Sequence, residues 1–250
     1  MASNKDKIRG LLKAIETGDP DAIAVVNQEK YIQHNPQTHE GSEGLEALFA
    51  RLAQTNPRVN VVRAFEDGDF VFGHTEYDFS TRRIGFEVFR FEDGRAVEHW
   101  DNIQPRRGPN ASGRSMVDGP VEAEDLDRTE ANRERVRKFV QDLLIGRNYN
   151  ALTDFVAEDL IEHNPHLSDG AASVRAALKA EGEASVRYDR LHRVLAEGSF
   201  VLTVSEGEKG GYHAALYDMF RLADGQIVEH WDTVEKVAPR SEWKNDNGKF

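Results

Sequence analysis

The pentapeptide Val-Glu-His-Trp-Asp stands at residues 97–101 and again at 228–232. Each copy ends a longer match, FRFEDGRAVEHWD (89–101) against FRLADGQIVEHWD (220–232), in which nine of thirteen positions are identical. A second pair, YIQHNPQTHEG (31–41) and LIEHNPHLSDG (160–170), precedes it in the same order. His34 and His163 are 129 residues apart, and His99 and His230 are 131 apart. Two motifs in nearly constant register make the chain a duplication, with homologous domains at about 5–105 and 129–240. Two copies are too few for a solenoid, so each needs its own core. Residues 106–128 carry Gly, Pro, Ser and charge without periodicity and read as a linker; residues 241–250 read as a flexible tail.

Both copies have the same coarse layout. Ile8, Leu11, Leu12 and Ile15 form one helical stripe, matched by Val136, Phe139, Val140 and Leu143, with Thr129 placed to cap the second helix. Short helices are expected over Asp21–Gln28 and Ala151–Glu158, and third helices over Gly44–Gln54 and Ala172–Glu181. Pro36 and Pro165 disfavour helix at the asparagine before them. Four strand-like runs follow in the first copy (59–65, 69–77, 84–91 and 96–103), punctuated by Asp-Gly pairs. Helices first and a meander afterwards predict an α+β domain.

Composition removes several functions. The chain has no cysteine, which excludes disulfides, thiolate metal sites and cysteine nucleophiles. A net charge of −12 offers no basic field for nucleic acid. No apolar run approaches membrane-spanning length, and the N-terminus lacks a signal-peptide core, so a cytoplasmic protein with no membrane partner is expected.

The element order, HNP, FR..DG..VEHWD and the acid two residues before FR together resemble the SnoaL-like polyketide cyclases of the nuclear-transport-factor-like superfamily. The resemblance covers nearly all of both copies. It implies two tandem cone-shaped domains, each a strongly curved antiparallel sheet wrapped by about three N-terminal helices. It also implies a small-molecule substrate, no cofactor, no resident metal, and dimerisation through the outer sheet face. A tandem chain could form that dimer within itself, as an intramolecular pseudo-dimer, or pair further as a homo-oligomer.

Alternate residues of a strand share a face. Val97, His99, Asp101 and Ile103 should therefore point one way, and Glu98, Trp100 and Asn102 the other; His230 and Asp232 repeat the pairing. The resemblance aims the acids Glu87 and Asp218, together with those of the last strand, inward, and sets His34 and His163 at the mouth. His74, on another strand, is a further candidate; Val204 replaces it in the second copy. The chemistry expected is cofactor-independent acid/base work: aldol-type cyclisation, isomerisation or dehydration of a small carbonyl or polyketide-like molecule. Asp101 is assigned as base, His99 or His34 as donor, and Glu87 as the group tuning them, with the first copy favoured if one site alone is active. The alternatives are a non-catalytic small-molecule binder and a hydrolase of a small activated substrate. A metal held by His34, His74, His99 and Asp101 has suitable ligand types but no supporting HxH or HxxxH spacing. The opposite facing, with Trp100 and Trp231 inside, is the structural alternative.

Overall fold

The computed structural model describes residues 2–250. The first helix, α1 (Asn4–Lys13), starts at a capping box: Ser3 Oγ accepts from the Asp6 N–H, and the Asp6 carboxylate reaches back to Ser3. A 3₁₀ segment, Pro20–Val25, stands where a short α-helix was expected. The short strand β1 (Ile32–Gln33) and helix α2 (Gly41–Ala53) follow. The meander is β2 (Arg58–Asp67), β3 (Phe70–Asp78), β4 (Arg82–Glu92) and β5 (Arg95–Pro105).

The second copy repeats this plan. Helix α3 (Thr129–Lys138) continues as a π-helical stretch, Phe139–Ile145. Thr129 does not cap it: the cap position is Arg128, and Thr129 Oγ1 bonds Leu126 O and the Gly198 N–H instead. Helix α4 spans only Leu152–Phe155, because β6 (Val156–Glu162) claims the rest of the expected helix. After α5 (Ala171–Leu178) come β7 (Val186–Glu197), β8 (Phe200–Lys209), β9 (Tyr212–Ala223) and β10 (Gln226–Lys236).

Each copy thus forms a five-stranded sheet, ordered β1-β5-β4-β3-β2 and β6-β10-β9-β8-β7. The four-stranded meanders are antiparallel, as expected. The edge strands β1 and β6, however, pair in parallel with β5 and β10, so both sheets are mixed. This pairing lays the HNP stretch beside VEHWD, with His34 N–H bonding His99 O and His163 N–H bonding His230 O.

The helices cover one face of each sheet. In the first, Ile8, Leu11, Leu12 and Ile15 pack with Phe49, Tyr77, Phe89 and Phe91; in the second, Val136, Phe139, Val140 and Leu143 pack with Phe220 and Leu222. The predicted stripes are therefore the core faces. The other face is also apolar and buried, with Phe72, Phe86, Val88 and Trp100 in the first copy and Leu202, Val204, Met219 and Trp231 in the second. Among the described residues, no helix is long and apolar enough to cross a membrane.

The chain divides into two compact units, and their boundaries correct the expected ones. The first comprises residues 1–105 together with 238–250, and the second residues 106–237. Each unit thus takes the segment that follows the other copy's last strand. The expected flexible tail is fastened along the HNP stretch: Lys244 N–H donates to Pro36 O at 2.8 Å, Asn245 Nδ2 to Asn35 O at 2.8 Å and Thr38 O at 2.9 Å, and Asn247 Nδ2 to Gln33 O at 2.9 Å. The expected linker does the same in the second unit. Asn110 Nδ2 donates to Glu162 O at 2.6 Å, and Trp231 Nε1 donates to Asp118 O at 3.0 Å. Gly119 (φ +100°) passes so close to Glu229 and Trp231 that a Cβ would lie 2.5 Å from Glu229 Oε1. Backbone carbonyls of the HNP stretches need these donors, which is why both segments are held.

Deleting residues 241–250 removes the donors to Gln33, Asn35, Pro36 and Thr38. Amide hydrogen exchange across 31–38 is expected to accelerate at least ~10-fold, the equivalent of a net hydrogen bond of about 1–1.5 kcal/mol. Exchange across 160–167 should keep its original rate.

Candidate functional site

The VEHWD strand divides its side chains between the two faces as alternation requires. On the outer face Glu98 and Trp100 grip His34: the rings stack with centroids 4.6 Å apart and planes 10° apart, and His34 Nε2 lies 2.9 Å from Glu98 Oε1. His34 Nδ1 lies 2.9 Å from Gly248 O, and Arg90 Nε donates to Glu98 at 2.7 Å. The second copy repeats every part. His163 stacks on Trp231 at 4.7 Å, and its nitrogens lie 2.8 Å from Glu229 Oε1 and 2.7 Å from Ser115 O; Arg221 donates to Glu229. Burial works against the Glu229 charge, but the His163 and Arg221 bonds outweigh it and hold its carboxyl below the usual range.

This corrects the placement of His34 and His163. Both are buried fasteners between the closing segment and the last strand, on the face away from His99 and Asp101. His74 is displaced too: it pairs with Phe86 across β3–β4 and packs on that ring at 4.7 Å, on the outer face. The four-residue metal set considered from the sequence is therefore split between two sides of the sheet.

The inner face gathers a compact polar cluster. Glu87 on β4 pairs directly with Asp101 on β5. His99 stacks on Phe89 at 4.4 Å, with Nδ1 2.9 Å from Gln33 Oε1 and Nε2 2.8 Å from Glu87 Oε2. Tyr77 donates its hydroxyl to Glu87 Oε1 at 2.6 Å. Asn35 Nδ2 donates to Asp101 Oδ2 at 2.6 Å, and Lys249 Nζ lies 3.3 Å from Asp101 Oδ1. The four polar partners of His99 and Asp101 (Gln33, Glu87, Asn35 and Lys249) come from β1, β4, the HNP stretch and the segment after β10, so the fold and not the local sequence assembles the site.

The second inner site keeps the plan and changes the charges. His230 Nδ1 faces both oxygens of Glu162 at 2.9 and 3.0 Å, and Nε2 lies 3.0 Å from Asp218 Oδ1. Tyr188 donates to Asp218 at 3.0 Å, and Asn164 Nδ2 to Asp232 Oδ2 at 2.6 Å. Glu162 thus replaces Gln33. The tyrosine has also changed strands: Tyr77 on β3 faces Val59 on β2, whereas Tyr188 on β7 faces Gly207 on β8. Gly207 is fixed by space, since a Cβ there would lie 1.9 Å from Arg187 O.

Three acids around one imidazole leave a surplus of negative charge in the second site. Burial opposes a charge on His230, but Glu162 and Asp218 overcome it and raise its pKa well above the ordinary histidine value. Asp232 is pushed up to about 7, chiefly by burial, with His230 working against the rise and Glu162 and Asp218 adding to it. Burial, helped by the neighbouring carboxylates, raises the phenols of Tyr77 and Tyr188 well above 10.

Among the described residues, Glu87, His99 and Asp101 are the one group offering three metal-ligand atoms within 4.8 Å of one another. Both nitrogens of His99 already face oxygens and an ammonium lies against Asp101, so the trio is built as a hydrogen-bonded cluster. Sequence reasoning placed His99, Asp101, Glu87, His230, Asp232 and Asp218 together. It missed Gln33, Asn35, Tyr77 and Lys249, and their counterparts Glu162, Asn164 and Tyr188. The repeated HNP was the available signal, since its asparagine is the residue that orients each aspartate.

The model of the SnoaL-like domain matches residues 8–99 and again 136–230. The chain belongs to the SnoaL-like domain family. Its two SnoaL-like domains are the two copies seen in the sequence. No curated protein matches the chain. Solved structures similar to it include a candidate ketosteroid isomerase from Kribbella flavida (19% identity, 45% of this chain and 83% of that one, TM-score 0.39). Others are IdmH, a candidate polyketide cyclase from Streptomyces antibioticus (19%, 41% and 93%, 0.37), and an LEH-like epoxide hydrolase from M. tuberculosis (19%, 43% and 85%, 0.35).

Folding favours the neutral form of Asp232, because its pKa rises from 3.8 unfolded to about 7 folded. That contribution is whole below about pH 4 and is lost as pH rises through 7. His230 contributes in the same sense, but its share is lost only at the higher pH of its own folded pKa. Stability should therefore fall between about pH 4 and 7, and Asp232→Asn should flatten this decline. Urea denaturation of both proteins across the window measures the difference.

Proposed function

We propose that the protein is a cofactor-independent acid/base enzyme acting on a small enolisable carbonyl compound, of the kind that cyclises, isomerises or dehydrates. The reading rests on one observation. Each SnoaL-like domain holds an aspartate, buried in the first and half-buried in the second, oriented by an asparagine and beside an imidazole whose nitrogens are both engaged. Such a carboxylate can take an α-proton while its position stays fixed.

Asp101 and Asp232 act as the bases. His99, expected as donor with His34 as the alternative, is not given that role, and neither is His230, because Gln33 with Glu87 and Glu162 with Asp218 occupy their ring nitrogens. In the second domain the imidazolium contributes its charge, which stabilises negative charge forming nearby. A pKa of about 7 gives Asp232 the balance between holding and releasing a proton that general catalysis favours near neutrality. The second domain is accordingly the stronger base site at neutral pH, in contrast to the preference for the first drawn from its extra polar residues.

The test is deuterium uptake at the α-carbons of cyclohexanone in D₂O, followed by NMR. Asp232→Asn should remove the part of the rate that rises as pH passes through about 7. The double variant Asp101→Asn/Asp232→Asn should be slower by ~10²–10⁴-fold. Uptake at the original rate by a folded double variant would refute the acid/base reading. Ketone binding without uptake in the unmodified protein would assign the sites to capture instead.

A further inference from the structure

Lys249 lies beyond the last strand of the second copy, in a segment without regular secondary structure, yet only 2% of its surface is exposed. Its side chain enters the first inner site and places Nζ 3.3 Å from Asp101 Oδ1. The position is built: hydrogen bonds from Lys244, Asn245 and Asn247, with the His34–Gly248 contact, fix the segment that carries it.

The second domain supplies a comparison within the same molecule. Gly248 O meets His34 Nδ1 as Ser115 O meets His163 Nδ1, so Lys249 and Met116 follow equivalent carbonyls. Met116 is also buried, at 3% exposure. Two differences therefore go together. The first site has Gln33 where the second has Glu162, and the residue after the carbonyl that meets the HNP histidine is Lys249 in the first domain and Met116 in the second. Both move the first site towards positive charge. The second site draws its cation from an imidazole between two carboxylates, whereas the first has lost one of those carboxylates and gained an ammonium beside its base.

We propose that Lys249 is a catalytic residue of the first domain, the cation that receives the negative charge when Asp101 takes a proton from a carbonyl ligand. This rests on the acid/base reading above. The substrate C–H bond breaks, its proton passes to an Asp101 oxygen, and its electron pair moves to the carbonyl oxygen as the enolate. One negative charge leaves the carboxylate and one appears on the ligand, so nothing is oxidised or reduced. The ammonium, paired with Asp101 beforehand, pairs with the enolate oxygen afterwards. It also fills the donor role that His99 cannot take.

Two measurements test this. The first is cyclohexanone α-deuteration in an Asp232→Asn background, where the second site lacks its base. Lys249→Met installs the residue found in the second domain and should lower kcat by ~10²-fold with little change in KM. Methylammonium should restore part of the rate to Lys249→Ala and none to Asp101→Asn. An unchanged kcat in folded Lys249→Met overturns the proposal, and so does a loss that tracks a lowered melting temperature and is not rescued by the amine. The second measurement needs no turnover and so separates this proposal from the general reading. 4-Nitrophenolate stands in for the enolate, and Asp101→Asn for the protonated base. Titrated by absorbance, Asp101→Asn should bind the phenolate at least ~10-fold more tightly than Asp101→Asn/Lys249→Met. Equal affinities overturn the assignment even if the unmodified protein exchanges no deuterium.

Discussion

The parallel pairing of HNP with VEHWD is the contact on which the rest of each domain depends. It joins the first extended segment to the last strand, and strand alternation then divides the work between two faces. Glu98 and Trp100 hold the histidine of HNP on one side, while Asp101 receives its asparagine on the other. One five-residue sequence therefore closes the sheet edge and orients the inner carboxylate. A one-residue slip would exchange the two faces and lose both.

The two domains keep this framework and differ in how they balance charge. The second places Glu162, Asp218 and Asp232 around His230, and burial, reinforced by Glu162 and Asp218, pushes the Asp232 pKa up to about 7. The first replaces one acid by Gln33 and brings in Lys249. Breaking a buried ion pair by removing one partner typically costs about 3–5 kcal/mol, so neither arrangement is interchangeable with the other one residue at a time.

Much of the fold was legible. The duplication, the core stripes of Ile8–Ile15 and Val136–Leu143, and the facing of His99 and Asp101 all follow from spacing that local physics enforces. The errors have a common source. His34 was placed with the inner groups because HNP was read as a mouth-lining motif, but its backbone lies alongside β5, and Trp100 offers it a flat partner on the outer face. Thr129 was read as a cap although its hydroxyl is taken by Leu126 O and Gly198 N–H. Residues 106–128 and 241–250 looked detached because they lack periodicity. Their order comes from single side chains meeting backbone carbonyls of the HNP stretches, an interaction without a repeating pattern. Lys249 was hidden for the same reason: nothing adjacent to it in sequence signals a destination more than a hundred residues upstream.

The crossed ownership of the closing segments has a consequence for biosynthesis. The second domain has its closing segment before its own first helix is made. The first domain waits: its base meets the ammonium only after the whole of the second domain and the segment carrying Lys249 have been made. A truncation that removes Lys249 would therefore act on the half of the protein that was synthesised first.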